Sequence, residues 1–167
     1  MNADQIRSIQ APLKEKYRDD PASAIITLKA TGKTGEGLTC KVDTGKSLAE
    51  AGLHPATGGN GMAACSGDML LEALVACAGV TLKTVATAIN LQLNNATVAA
   101  EGDLDFRGTL GVSKEAPVGF KQIRLHYDLE TPATDDEIAT LLKLTERYCV
   151  VYQTLRSASE IKITHSH

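Results

Sequence analysis

The sequence contains no tryptophan, and aromatic residues make up only 4% of its 167 positions. A stacking platform for single-stranded nucleic acid needs such rings, so their scarcity argues against that class. The formal charge is −3, from 17 basic and 20 acidic residues, which argues against a general nucleic-acid or anionic-membrane binder. The N-terminus, MNADQIRSIQAPLKEKYRDD, has neither the apolar core of a signal peptide nor a basic amphipathic transit pattern. A cytoplasmic protein is therefore expected. Four cysteines are present (Cys40, Cys65, Cys77, Cys149), without a CxxC pair and without a histidine at zinc-ligand spacing. Structural disulfides are rare in a reducing compartment. The choice left is between inert buried thiols and redox chemistry between residues far apart in sequence. Gly58-Gly59-Asn60-Gly61 has the wrong spacing for a phosphate loop, and no lysine leads into the next helix. A loop at the mouth of a site is the simpler reading.

What is present is ordinary for a soluble domain: 43% hydrophobic and 22% charged residues. The length suits one domain over 1–167, with residues 1–20 as an N-terminal arm. In that arm Ile6, Ile9, Leu13 and Tyr17 fall at helical spacing, interrupted by Pro12. Such a narrow stripe needs another surface to cover it, and a partner subunit could supply one.

Residues 66–93 organise the rest. Between Met69 and Leu82 the only charge is Glu72, so a helix here is apolar on almost every face. The uninterrupted run from Ala73 to Leu82 is about half of the roughly 20 residues a bilayer requires, so a buried helix is expected. Ser66 serves as N-cap, Asp68 suits the positive end of the dipole, and Asn94-Asn95 form the stop.

Around this helix the patterns predict strands. Ala22–Lys29 and Gly37–Val42 form a hairpin connected by Thr31–Gly35, with Cys40 facing inward as a small core residue. Val98–Phe106 and Phe120–Glu130 alternate as half-buried strands, the second with Ile123, Leu125, Tyr127 and Leu129 on one face and His126 on the solvated other. Thr134 to Glu137 reads as a capping box, with Ile138, Leu141, Leu142 and Thr145 on the inner face of its helix. Glu160–His165 closes the fold as a short strand. The order ββ-α-ββ-α-β defines an α+β class, with antiparallel sheets around a long buried central helix.

Two segments, LLEALVACAGVTL around Cys77 and ERYCVVYQTL around Cys149, are together similar to the OsmC/Ohr family (osmotically inducible protein C and organic hydroperoxide resistance protein). The element order agrees over roughly residues 22–164. The resemblance implies an intertwined homodimer and thiol-based reduction of small, especially organic, hydroperoxides. It also implies Cys77 as the peroxidatic thiol, Cys149 as its resolving partner, and no cofactor beyond an external dithiol reductant. The family's acidic residue maps to Asp68. The family's arginine, in the N-terminal hairpin, is replaced by Lys33, which acts as a point charge where arginine offers a fork of donors. Many members have proline after the second cysteine, where this chain has Val150.

Thiol chemistry sets its own demands. The thiolate is the nucleophile, and burial disfavours it. Cys77 lies too deep in its helix for the dipole to help, and Ala73, Leu74, Val80 and Thr81 make a mostly apolar wall. A cation from elsewhere is therefore required, Lys33 first, with Arg18 and Arg147 behind it. Asp68, nine residues back, lies about 13 Å along the helix from Cys77, so its role is to orient that cation. Glu72 should have a partner if its helix is buried. The rival readings are a dimeric stress or small-molecule-binding protein without peroxidase activity, and a thiol acyl transferase using His54.

Overall fold

The computed structural model describes residues 2–19, 31–34, 39–43, 48–111 and 113–166. Of residues 6, 9, 13, 14, 16–18, 31–34, 39–43, 48 and 49 it describes the backbone course alone. The expected strand at Ala22–Lys29 lies outside the described residues, and so does the side-chain direction of Cys40.

Helix α1 (Ala3–Asp19) runs continuously through Pro12, where the sequence led us to expect an interruption. Three strands follow, β1 (Thr31–Thr34), β2 (Thr39–Asp43) and β3 (Leu48–Gly52). The expected hairpin connection Thr31–Gly35 is thus mostly strand: Thr31 pairs with Asp43 and Thr34 with Cys40, antiparallel. Strand β3, missed in the sequence, pairs antiparallel with β2 and parallel with the two-residue β4 (Ala64–Cys65), so this sheet is not wholly antiparallel. Its sequence, LAEAG, is short and lacks β-branched residues, so no strand signal marks it.

The central helix α2 spans Ser66–Ala88, with Cys65 and not Ser66 at the N-cap position and Asp68 in the first turn. It stops before the expected asparagine pair, because Asn90 takes a left-handed conformation (φ 57°) just beyond the C-cap. Asparagine is among the few residues that tolerate this region. The antiparallel pair β5 (Asn95–Asp103) and β6 (Gln122–Glu130) lies against α2. Strict alternation along both strands turns Val98, Ile123, Leu125, Tyr127 and Leu129 inward and leaves His126 exposed, as expected. A short helix α3 (Phe106–Thr109), N-capped by Asp105, sits between the two strands.

Helix α4 (Asp135–Tyr148) begins with the expected capping box of Thr134 and Glu137 and packs on α2 through Leu141 and Thr145, both fully buried. Leu82, Val85, Ala86, Leu93 and Leu141 form the core. A last helix, α5 (Val150–Arg156), turns back onto α2. The expected closing strand is absent among the described residues: 157–166 carry no regular structure, with Ile161 and Ile163 85% and 92% exposed.

Within one chain, α2 buries a single face, that of Leu74, Ala78, Leu82, Val85 and Ala86. Its other face leaves Leu70, Ala73, Ala76 and Val80 exposed, Val80 by 70%. The helix is long and apolar enough to cross a membrane by length and composition, and 28% of its most apolar window is buried in this chain. The helix expected to be buried is therefore covered on one face only within this chain.

Candidate functional site

Cys77 and Cys149, 72 residues apart, meet where α2 passes the corner between α4 and α5, each thiol acting on the other. Both are free thiols; Cys77 is half-buried and Cys149 is 1% exposed. The corner is made by Cys149 itself. Its extended backbone (φ −75°, ψ 109°) ends α4 and starts α5, although ERYCVVYQTL holds no glycine or proline to mark a break. Two side chains hold the bend. The Gln153 amide donates to the Glu146 carbonyl at 2.7 Å, serving one of the carbonyls a helix end leaves free, and the Tyr152 hydroxyl donates to the Glu146 carboxylate at 3.3 Å.

A new helix start also leaves free N–H groups, and here they face sulfur. Burial is the largest single influence on Cys77 and pushes its pKa up. Against it act the Val151 amide, the Cys149 thiol, the Val150 amide and the Thr81 hydroxyl, and together they win: the Cys77 thiol is lowered below its ordinary value. The Thr81 hydroxyl donates to the Cys77 carbonyl at 2.8 Å and can turn its one proton to the sulfur instead. These contacts are weak to a neutral thiol, a poor acceptor, and strengthen once the sulfur is charged. Cys149 moves the other way. Burial raises it, and so does giving its own hydrogen bond to Cys77, with the Tyr152 and Val151 amides only partly compensating. Of the two thiols, Cys77 is the one the surroundings make more acidic and Cys149 the one they make less so.

The two valine amides were invisible in the sequence, because the donors are backbone groups that exist only where the helix breaks. They change the expected requirement for a cation: ionisation of Cys77 is favoured by backbone dipoles as well. The side chains of Lys33 and Arg18 lie outside the described residues; the backbone of Lys33 is in β1, opposite Lys41. Arg147 is exposed, with its guanidinium 5.8 Å from the Tyr148 ring centre. Asp68 is exposed on the first turn of α2, two and a half turns from Cys77 in its own chain, at the rim of a small cavity with His54, Cys65 and Phe106. Glu72 is exposed and, among the described residues, unpaired; the partner expected for a buried helix is not needed on a solvated face. His54 stacks on Phe106 (centroids 4.9 Å apart), and its Nδ1 accepts the Ala56 N–H at 3.0 Å. It caps a 3-10 turn (Pro55–Thr57), a structural task.

Leu74, one turn before Cys77 on α2, opens into a pocket of ≈ 480 Å³ walled by Ile123, Leu125, Tyr127, Tyr152 and Glu146. The Tyr127 phenol is held neutral, its pKa pushed up to about 12 by burial first and then by the nearby Cys149, Glu146, Tyr152 and Cys77. The pocket is mixed, apolar at Leu74, Ile123 and Leu125 and charged at Lys121, Glu146 and Arg156, and it lies one turn of α2 from Cys77.

An α+β fold with a cysteine inside its long helix and a second at a helix corner defines a class, and comparison with known proteins agrees. The chain belongs to the OsmC family: the model described as OsmC-like protein matches residues 58–164. It is 27% identical over 94 residues to a hydroperoxide reductase of Mycoplasma pneumoniae, a match covering 56% of this chain and 63% of that protein. The chain thus spans less than two thirds of that relative's length. Among solved structures it is similar to an OsmC-like protein from Mycoplasma pneumoniae (TM-score 0.67, 17% identity, 80% of this chain and 89% of the other). It is also similar to an organic hydroperoxide resistance protein OsmC from Legionella pneumophila (TM-score 0.63, 20% identity, 79% and 90%).

Proposed function

We propose that this protein is a thiol-dependent peroxidase that reduces small, chiefly organic, hydroperoxides in oxidative-stress defence in the cytoplasm. The observation that carries the reading is the asymmetric thiol pair, Cys77 lowered and Cys149 raised, across a corner that aims backbone amides at the first. The Cys77 thiolate attacks the distal peroxide oxygen, the O–O bond breaks, and the alcohol leaves after taking a proton. The resulting sulfenic acid condenses with the Cys149 thiol, releasing water and forming a disulfide that an external dithiol reduces. The pocket walled by Leu125 and Tyr127 takes the organic group of the peroxide. Lys33 contributes positive charge to the site and Asp68 orients it, Asp68 doing so from the partner subunit's side of a homodimer. The uncovered stripe Leu70, Ala73, Ala76 and Val80 on α2 is the surface that a second copy of the chain covers. No bound cofactor enters this cycle.

The alternative, a dimeric binding protein of the same fold without peroxidase activity, is favoured by Lys33 standing where the resemblance implies arginine. One assay separates the two. Wild type is expected to consume cumene hydroperoxide in the presence of a dithiol and Cys77→Ser is not; equal rates remove the enzymatic reading.

A further inference from the structure

When a thiolate takes the distal oxygen of a hydroperoxide, the other oxygen departs as an alkoxide, a strong base that a positioned acid helps to leave. The pocket beside Leu74 has few side chains able to serve. Arg156 does not part with a proton, and Gln122 is an amide. Lys121 stands just before β6, six residues and about 20 Å from Tyr127. The Tyr152 hydroxyl is already turned to the Glu146 carboxylate at 3.3 Å, which is thereby placed as an acceptor.

Tyr127 is different. Alternation along β6 turns it inward, opposite Val98, whose side chain lies 3.8 Å from where a Cβ on Gly79 would stand. Gly79 is two residues beyond Cys77 on α2, so the strands set the Tyr127 ring against the helix that carries the thiol. Glu146, Tyr152 and both cysteines are close enough to act on the phenol's charge. Its hydroxyl makes no hydrogen bond among the described residues, and none of their unpartnered side-chain oxygens is sealed from solvent. The phenol oxygen therefore opens into the pocket with its proton uncommitted.

We propose that Tyr127 is a catalytic residue, its phenol giving a proton to the departing oxygen of the hydroperoxide as Cys77 attacks. This rests on the peroxidase reading above. The thiolate's electron pair forms the S–O bond, the O–O bond's pair goes to the oxygen that bears the organic group, and the phenol proton completes the alcohol. Cys77 ends as a sulfenic acid, oxidised by two electrons, and the peroxide is reduced by the same two. The phenolate regains its proton from water in the open pocket. With its pKa pushed up to about 12, the phenol carries that proton at neutral pH and is still a stronger acid than the alcohol it helps to form.

The test follows oxidation of Cys77 in reduced, full-length protein by two peroxides, in a single turnover quenched with acid and read by mass. tert-Butyl hydroperoxide leaves as an alkoxide and needs the proton; peroxyacetic acid leaves as acetate and does not. Tyr127→Phe keeps the ring and loses the hydroxyl. It is expected to slow the first reaction about hundredfold, the low end for a positioned acid, and the second by less than about threefold. Alkylation of Cys77 by iodoacetamide, whose leaving iodide takes no proton, should be equal in the two proteins. Wild type in D2O should slow with tert-butyl hydroperoxide and not with peroxyacetic acid, a readout that needs no variant. Equal slowing of Tyr127→Phe with both peroxides, no slowing with either, or a wild-type isotope effect that does not distinguish them overturns the inference and leaves the peroxidase reading intact. Wild type whose Cys77 resists both peroxides overturns that reading and the inference with it.

Discussion

Replacing Val150 with proline removes one N–H from the Cys77 sulfur and little else. Proline suits this position for three reasons. Val150 is the first residue of α5, where proline's fixed φ is already helical. Cys149 before it is extended (ψ 109°), the conformation that a following proline prefers. The lost side chain was 70% exposed. What disappears is one of four groups that offset the burial of Cys77. A hydrogen bond to a charged group is worth about 1.5 kcal/mol at the low end, which is about tenfold in the thiolate population. Iodoacetamide alkylation of Cys77, measured by mass from pH 5 to 10, should therefore slow about tenfold at neutral pH, with its midpoint moved to higher pH. Val150→Ala keeps the N–H and should match wild type. A folded Val150→Pro protein that alkylates at the wild-type rate with an unmoved midpoint refutes the role assigned to the corner.

Three further outcomes can be measured. Leu141 is fully buried against α2, and Leu141→Ala should cost about 2–5 kcal/mol in denaturant unfolding, because the surrounding core cannot collapse onto the gap. Asp105 caps α3 and pairs with Arg107 at 2.6 Å, first through hydrogen bonds that hold its carboxyl down to about 2. Its folded value lies below its unfolded one, so its contribution is complete above pH 4 and is lost as pH falls from about 4 to about 2. The melting temperature of Asp105→Asn should accordingly trail wild type at neutral pH and converge with it below pH 2. Val80→Asp, on the uncovered face of α2, should leave a folded protein of half the native molecular mass by light scattering; an unchanged mass removes that face from the proposed dimer.

Much of the architecture could be read from local pattern. The alternation in β6 and the capping box at Thr134 are nearest-neighbour signals, and the structure contains both where they were expected. The apolar helix around Cys77 was equally legible, although its end was misplaced by a single left-handed asparagine. Strand β3 was not legible, because Leu48–Gly52 is a strand through its hydrogen bonds to β2 and has no composition to mark it. The expected closing strand failed for the converse reason: Ile161 and Ile163 have the right pattern and, among the described residues, no strand beside them.

The site divides along the same line. Which residues could react was written in the chain: a cysteine in an apolar helix, and another far downstream in a compatible segment. Amino-acid identity sets the chemistry a side chain is capable of. Whether these two thiols meet, and which of them ionises, depends on where the backbone bends at Cys149 and which way the freed amides of Val150 and Val151 point. Hydrogen-bond donors of the main chain are the same in every residue, so only their placement in space distinguishes them, and only the folded chain determines that placement.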